Sequence, residues 1–235
     1  MIRPLLYERQ LVTRLQQELL SAKMFRIASA MVSVAGVNEI FPSLERCLEK
    51  GGSGQILIGV DLPSDPDAIG NLRRLAAKYS ENLKLKYFRP LRSRIFHPKL
   101  FIFGGKASST SAIIGSSNLT GGGLTENHEA NIGVRSGSVV SELTEYFDEH
   151  FEGAYSSQVT SEWLADYRDE WLLRKKLFDR LKKLRQKTNP KVVAMLRNPV
   201  CPNGSGARFS RSQAEFGTGH DENFTHWFGG WTAGR

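Results

Sequence analysis

The sequence has little cysteine and no long apolar run. Its 235 residues include two cysteines, Cys47 and Cys201, which lie far apart in unlike contexts. Two such thiols do not make a disulfide framework, so we expect them to be reduced. Glycine, serine or charge interrupts the longest apolar stretches, and the first residues lack the apolar core of a secretory signal. These absences predict a cytoplasmic protein that does not enter a membrane.

Acidic residues are scarce in two blocks of the chain. Residues 73–106 and residues 174–197 each hold ten lysines and arginines against one acid. Each block therefore carries a charge of +9, although the whole chain carries only +8. Segregated positive charge of this size predicts a polyanionic partner, most simply nucleic acid. For the second block, the alternative is a solvated basic helix.

The sequence also shows no acidic or histidine cluster at metal-ligand spacing, but it holds a different polar pattern. His97 and Lys99 lie two apart in the apolar run 95–103, which predicts one face of a β-strand. Burying both side chains is costly unless they share an anionic partner. A phosphate diester suits them, because imidazole can attack phosphorus and an ammonium can bind a non-bridging oxygen.

Two further elements follow this pair, Gly115-Ser116-Ser117-Asn118 and Asn127-His128-Glu129. Together the three elements resemble the phospholipase D superfamily in its nuclease branch, which has an H-x-K motif, a G-S-x-N motif and often a later acid. The resemblance covers residues 1–155. The family motif continues to an Asp where this chain has Gly104. Some nuclease members are similar in lacking this Asp and use a downstream Glu, so the departure weakens a lipid-hydrolase interpretation more than a nuclease one.

The resemblance implies a role for each catalytic candidate. His97 would be the nucleophile that forms a phosphohistidine, and Lys99 and Asn118 would bind the phosphate. Ser116 would add a hydroxyl group, and Glu129 would accept the other ring N–H of His97. No metal or other cofactor is expected, because Lys99 and Asn118 can stabilise the developing charge. The alternatives are a core histidine, an outward-facing lysine, a plain Gly-Ser-Asn turn and a surface glutamate.

The chain has one H-x-K motif, whereas this chemistry requires a nucleophile on one side of phosphorus and an acid on the other. The family uses two motifs in one chain or two chains in a dimer. The resemblance therefore implies a homodimer with a composite site on its two-fold axis. Basic residues from both positive blocks are predicted to bind the substrate backbone: Arg92, Arg94, Lys175, Lys176, Lys182 and Lys183.

Alternating helical and strand patterns predict an α/β fold with a mixed β-sheet flanked by helices, an α-β-α sandwich with a C-terminal helical and irregular extension. Helices are predicted at residues 7–20, from Asn38 to the Gly51-Gly52 pair, and at residues 66–79, 138–151 and 161–187. Strands are predicted at residues 26–34, 55–60, 83–88, 95–103, 110–115 and 130–134, with a flexible turn at Gly121-Gly122-Gly123.

Three domains are predicted along the chain. Residues 1–155 form the phospholipase D-like catalytic domain, residues 156–198 a basic helical extension, and residues 199–235 a glycine- and aromatic-rich tail with no assigned fold.

The sequence as a whole predicts a metal-independent nuclease, with DNA as the expected substrate, in restriction, defence or a larger defence complex. A phospholipase or phosphatidyltransferase is the first alternative, and the basic blocks and the missing membrane segment disfavour it. The second alternative is a nucleic-acid-binding or scaffold module with an inactive site. The intact His97, Lys99 and Asn118 disfavour that alternative.

Overall fold

The structure is a computed structural model that describes residues 2–5, 10–91, 94–104, 110–135 and 137–187. In residues 2–5, and beyond residue 177 except at Arg180, it describes the backbone alone. The chain divides into two compact units, Met1–Lys176 and Leu177–Arg235. The predicted tail 199–235 lies outside the described residues, so the three predicted domains stay a prediction.

An eight-stranded mixed sheet forms the centre of the first unit, in the order β1-β7-β6-β5-β2-β3-β4-β8. β2, β3 and β4 are parallel, and the remaining neighbours pair antiparallel. The strands are β1 Ile2–Leu5, β2 Met24–Ser29, β3 Ser53–Gly59, β4 Leu83–Phe88, β5 Lys99–Gly104, β6 Thr110–Gly115, β7 Asn131–Val134 and β8 Ser156–Gln158.

Helices cover both faces of this sheet, because the buried strands carry apolar residues on both sides. In β3, Ile56 and Ile58 join the core cluster under the first three helices, and Leu57 between them joins the cluster under the fourth. The predicted α-β-α sandwich is therefore confirmed. The helices are α1 Gln10–Ser21, α2 Val34–Glu49, α3 Pro66–Lys78, α4 Gly137–Glu152 and α5 Ser161–Lys187.

Helix α2 begins earlier than predicted. Ser33, rather than Asn38, is its N-cap, and the Ser33 hydroxyl accepts hydrogen bonds from the backbone N–H groups of Gly36 at 3.2 Å and Gly121 at 3.1 Å. The first turn of α2 therefore lies directly against the loop that follows β6. A Cβ atom at Gly36 would stand 2.4 Å from the carbonyl oxygen of Leu119. Only glycine allows this close approach.

Two predicted strands are shorter in the structure. The strand predicted at 26–34 ends at Ser29, whose hydroxyl donates to the carbonyl of Met31 at 2.6 Å and turns the chain out of the sheet. The strand predicted at 95–103 begins only at Lys99, so His97 lies in the preceding segment. Pro98 has no N–H to donate, and the N–H of Phe96 donates to the Asp61 carboxylate at 3.3 Å.

Further differences concern short segments. Gly122 and Gly123, predicted to lie in a flexible turn, lie instead in a π-helical turn, Gly122–Glu126, and β1 and β8 have no counterpart in the prediction. Both strands have four residues or fewer, which is too short for a readable alternation. β8 pairs with β4, and the buried Tyr167 of α5 donates its hydroxyl to the carbonyl of Ser64 at 2.8 Å. Residues just beyond 155 thus pack on the same core.

Gly36→Ala should destabilise the protein by about 1–3 kcal/mol, the usual cost of overpacking, despite the better helix propensity of alanine. Gly137→Ala is the matched control, because it also lies in a helix but a Cβ there would meet nothing within 4 Å. Urea unfolding of both variants measures the difference in the free energy of unfolding. Equal free energies of unfolding for Gly36→Ala and Gly137→Ala would contradict the prediction and would show that the loop after β6 can move to accommodate the added Cβ atom.

Candidate active site

The predicted site residues meet at one edge of the sheet. The pairing register places Lys99 of β5 opposite Ser29, the last residue of β2, and Gly115 of β6 opposite Asn131, the first residue of β7. The carboxyl ends of β2, β3 and β6 therefore share an edge with the start of β5. Polar groups gather at such an edge because the loops that leave it need not be covered by helices.

His97 and Lys99 are in direct contact. The Lys99 Nζ atom lies 2.9 Å from Nδ1 and 2.8 Å from Nε2 of the His97 ring, and it donates to the backbone carbonyl of His97 at 3.1 Å. Lys99 is buried, with 6 % of its surface exposed, whereas His97 is exposed. The two groups therefore act as one unit, although they do not share a strand as predicted.

The surroundings of His97 and Lys99 lower the pKa values of both side chains. Desolvation, followed by the charge of Lys99, lowers the pKa of His97 to about 4. Desolvation lowers the pKa of Lys99 to about 8. The negative charge of the Glu129 carboxylate acts in the opposite direction and raises this pKa, but its effect is smaller. At pH 7 the imidazole is therefore neutral and keeps a ring lone pair, while most of the lysine is still charged. A neutral imidazole and a cation thus lie side by side.

Glu129 is held by neighbours on two sides. The Ser116 hydroxyl donates a short hydrogen bond to Glu129 Oε2, and the Asn127 side-chain amide donates to Oε1 at 3.4 Å. The same Ser116 oxygen accepts the N–H of Ala130 at 2.9 Å. These contacts fix the carboxylate close enough to act on the pKa of Lys99. Its predicted hydrogen bond to the ring of His97 stays a prediction.

Asn118 lies in a loop that hydrogen bonds from neighbouring segments hold in place. The N–H of Leu119 donates to the Ser29 hydroxyl at 3.0 Å, and Asn131 donates its side-chain N–H to the Ser117 hydroxyl at 2.9 Å. Among the described residues, no hydrogen-bond partner reaches the buried Oδ1 of Asn118. Buried amide atoms without a partner are rare and call for an explanation, such as a catalytic role.

Asp61 is a site residue that the sequence did not reveal. Its carboxylate accepts the N–H of Phe96 at 3.3 Å and so fixes the residue next to His97. Desolvation raises the pKa of Asp61, against the hydrogen bond from Phe96 and the charges of Arg89 and Arg174. The contact spans 35 positions of sequence, and no local pattern signals it.

Gly104 stands at the far end of β5 from the site. It pairs with Met24, and a Cβ atom at Gly104 would lie 2.6 Å from Met24 Cγ. At roughly 3.4 Å per residue, Gly104 is about 17 Å along the strand from Lys99. An aspartate side chain at this position would not reach a phosphate held by Lys99. Its absence therefore removes no group from the site.

The predicted substrate-binding residues are only partly described. Arg94 is exposed and lies three residues before His97. Lys175 and Lys176 are exposed on α5, and Lys175 Nζ lies 4.9 Å from the centre of the Trp171 ring. Arg92 and the side chains of Lys182 and Lys183 lie outside the described residues. Arg174, which begins the second basic block, donates to the carbonyl of Asp61 at 3.3 Å.

In the part of the chain that the structure describes, no three or more His, Cys, Asp and Glu side chains group as metal ligands would. None of the described helices has the length and apolar character needed to cross a membrane.

The family profile described as "Cardiolipin synthase, PLD-like domain" matches residues 15–151, which include all four predicted catalytic residues. The match covers more than half of the chain. The mixed sheet and the paired histidine and lysine at its edge thus belong to a phospholipase D-like fold, the fold of a class of phosphodiesterases. This protein is a member of the phospholipase D-like family.

Several solved structures share the fold. NucT from Helicobacter pylori aligns at 14 % identity with a TM-score of 0.54, and Nuc from Salmonella typhimurium, a phospholipase D family member, at 16 % with 0.54; each alignment covers 68 % of this chain and 100 % of the other. Phosphatidylserine synthase from Haemophilus influenzae aligns at 16 % with 0.55, over 77 % of this chain and 46 % of the other. No curated protein matches the sequence.

Lys99→Met should raise the pKa of His97 from about 4 towards its ordinary value of 6.5. The rise should stop short of that value, because desolvation is the larger cause and remains. NMR titration of the histidine ring protons measures the shift. Lys84→Met is the matched control, since Lys84 is an exposed lysine of β4. An unchanged His97 pKa in Lys99→Met would contradict the electrostatic coupling.

Proposed function

We propose that the protein is a metal-independent nuclease that hydrolyses DNA through a phosphohistidine intermediate. The observation that carries this proposal is the contact between the Lys99 ammonium and the neutral ring of His97. A neutral imidazole is nucleophilic, and an ammonium 2.8–2.9 Å away can hold the phosphate oxygen that gains charge. Asn118 at the same edge supplies an amide for a second oxygen.

The reaction has two displacements. In the first, a ring nitrogen of His97 forms a bond to phosphorus, and the bond from phosphorus to the leaving deoxyribose oxygen breaks as that oxygen takes a proton. In the second, water gives up a proton and bonds to phosphorus, and the nitrogen–phosphorus bond breaks. Lys99 and Asn118 stabilise the charge in both steps, as Mg²⁺ does in other nucleases.

The charge distribution favours nucleic acid over lipid as the substrate. The H-x-K motif lies within a block of sequence that holds ten cations, Lys99 included, against one acid, and Arg94, three residues before His97, is exposed. A chain of phosphates can contact several cations at once, whereas a lipid offers one headgroup. We propose that Arg92, Lys175, Lys176, Lys182 and Lys183 also contact the phosphates of the nucleic acid.

Phospholipid hydrolysis is the second candidate, because the fold is also similar to that of a phosphatidylserine synthase. A role in restriction or defence is part of the proposal.

The leaving oxygen needs an acid, and this requirement supports a homodimer. Alone, His97 is neutral at pH 7 and cannot donate a proton. A phosphate anion between two imidazoles would raise the pKa of both, because an opposite charge favours the protonated form. His97 of the partner subunit is then the acid. The exposed apolar pair Ile114 and Ile132, in register on β6 and β7 near the site, is available for such an interface.

Cleavage of DNA should persist in excess EDTA, with a bell-shaped dependence of kcat/KM on pH. Activity should fall below about pH 4, where no neutral His97 remains to attack, and should fall most steeply above about pH 8, where Lys99 loses its charge in addition to the lack of a protonated His97 in the free protein. His97→Ala should abolish turnover but keep DNA binding, and Lys99→Ala and Asn118→Ala should each cost at least about 10²-fold in rate.

A plasmid assay with buffers across this pH range and with EDTA tests the proposal, and phosphatidylglycerol vesicles in a parallel assay test the lipid alternative. Complete loss of activity in EDTA that Mg²⁺ restores would falsify the metal-independent mechanism. Hydrolysis of the vesicles without cleavage of DNA would replace the nuclease by a phospholipase.

Mixtures of wild-type and His97→Ala chains should lose activity as the square of the wild-type fraction, because each composite site draws on both chains. Light scattering should show a dimer at the concentrations used. Dilution of wild-type chains with Lys84→Met chains is the control and should leave the total activity nearly unchanged. A linear fall with His97→Ala, or an active monomer, would mean that each chain holds a complete site.

A further inference from the structure

A cleft of about 670 Å³ opens beside His97. It lies between the last turns of α4 and the segment that links β4 to β5, and His97 forms part of its wall. The volume is within the roughly 300–1,000 Å³ of small-molecule sites. Because His97 lines the cleft, a phosphate held at His97 would lie next to whatever group occupies the cleft.

Aromatic rings dominate the wall of this cleft. Phe88 and Phe96 stack with their centres 4.5 Å apart and are buried, so they form its floor. Tyr155 meets Phe88 edge-on at 6.1 Å, and Tyr146 lies 4.3 Å from the ring of His150. Tyr146 and Tyr155 are 40 % and 46 % exposed. Two large rings are thus partly open to solvent above a buried aromatic pair.

The charged groups at the cleft indicate the kind of occupant. Arg94 and Glu149 lie on the wall, so an uncharged group with polar edges fits better than a second anion. The aliphatic residues Leu91 and Ile95 are 65 % and 52 % exposed and contribute little enclosed surface. An acyl chain prefers an enclosed aliphatic channel, whereas a flat ring with hydrogen-bonding edges suits exposed aromatic faces.

We propose that this cleft binds a nucleobase of a nucleotide adjoining the scissile phosphate. The inference rests on the proposed nuclease function and narrows its substrate to single-stranded or locally unpaired nucleic acid. A base inside a duplex is stacked between its neighbours and cannot enter a side cleft without leaving the stack. Stacking on tyrosine tolerates every base, so the cleft selects unpaired strands and not a sequence.

The test uses a single-stranded oligonucleotide with one cleavable phosphodiester among methylphosphonate links. The nucleotide on each side of that phosphate carries, in turn, a normal base or an abasic site. For the wild-type protein, the abasic site on one of the two sides should lower kcat/KM by about tenfold or more, the effect of losing one stacked base. Pairing the same oligonucleotide into a duplex should slow cleavage at least as much.

Tyr146→Ala should cleave the intact oligonucleotide about as slowly as the wild type cleaves the abasic one, and it should no longer distinguish the two. Tyr146→Phe keeps the ring and should behave as the wild type. Val139→Ala, a similarly exposed position of α4 outside the cleft, is the control for changes to the helix. A thermal melt of each variant confirms folding. A double-mutant cycle that combines Tyr146→Ala with the abasic site then measures the coupling between the tyrosine ring and the base.

The possible failures are distinguishable. If the wild type cleaves intact and abasic oligonucleotides equally well on both sides, the base-binding cleft is wrong and the nuclease stands. Full base dependence in Tyr146→Ala also overturns the cleft. If the wild type cleaves neither these oligonucleotides nor an unmodified single strand, the proposed function itself fails.

Discussion

The buried ammonium of Lys99 is the constraint on which the site depends. A cation with 6 % of its surface exposed is unfavourable unless an anion or several acceptors compensate it. The His97 ring and its carbonyl supply the acceptors, and the Glu129 carboxylate supplies negative charge. The compensation is incomplete, since the pKa of Lys99 remains lowered to about 8. The partly uncompensated charge of Lys99 therefore favours an anion that contacts both the lysine and the imidazole.

The fold holds this arrangement through contacts that connect distant segments. The Ser29 hydroxyl, at the end of β2, accepts the N–H of Leu119, and the Ser33 hydroxyl accepts the N–H of Gly121. The loop that carries Asn118 is thereby attached to the first turn of α2 and to the central strand beside Lys99. Small residues such as Gly36 allow the close approach. Stability and catalytic geometry consequently depend on the same hydrogen bonds.

The alternating apolar patterns sufficed to predict the sandwich, since long periodic segments such as α2, α3 and β3 carry strong local signals. The contact between His97 and Lys99 followed from their spacing, but the strand placement of His97 was wrong. Pro98 and the bond from Phe96 to Asp61 make the strand begin at Lys99, four residues later than the apolar pattern indicates. The aromatic cleft combines Phe88 with residues 146–155, and separations of this kind leave no trace in local sequence.

In the proposed reaction, the lowered pKa of His97 would have opposite effects on nucleophilic attack and on proton donation. A pKa of about 4 keeps the ring unprotonated and ready for attack, yet it denies the site an acid for the leaving oxygen. A bound phosphate changes this balance, because its negative charge offsets both desolvation and the neighbouring Lys99. Proton donation is thus possible only after substrate is bound. Under the proposed mechanism, the substrate-free protein therefore holds a nucleophile without an acid, and the bound substrate completes the catalytic site.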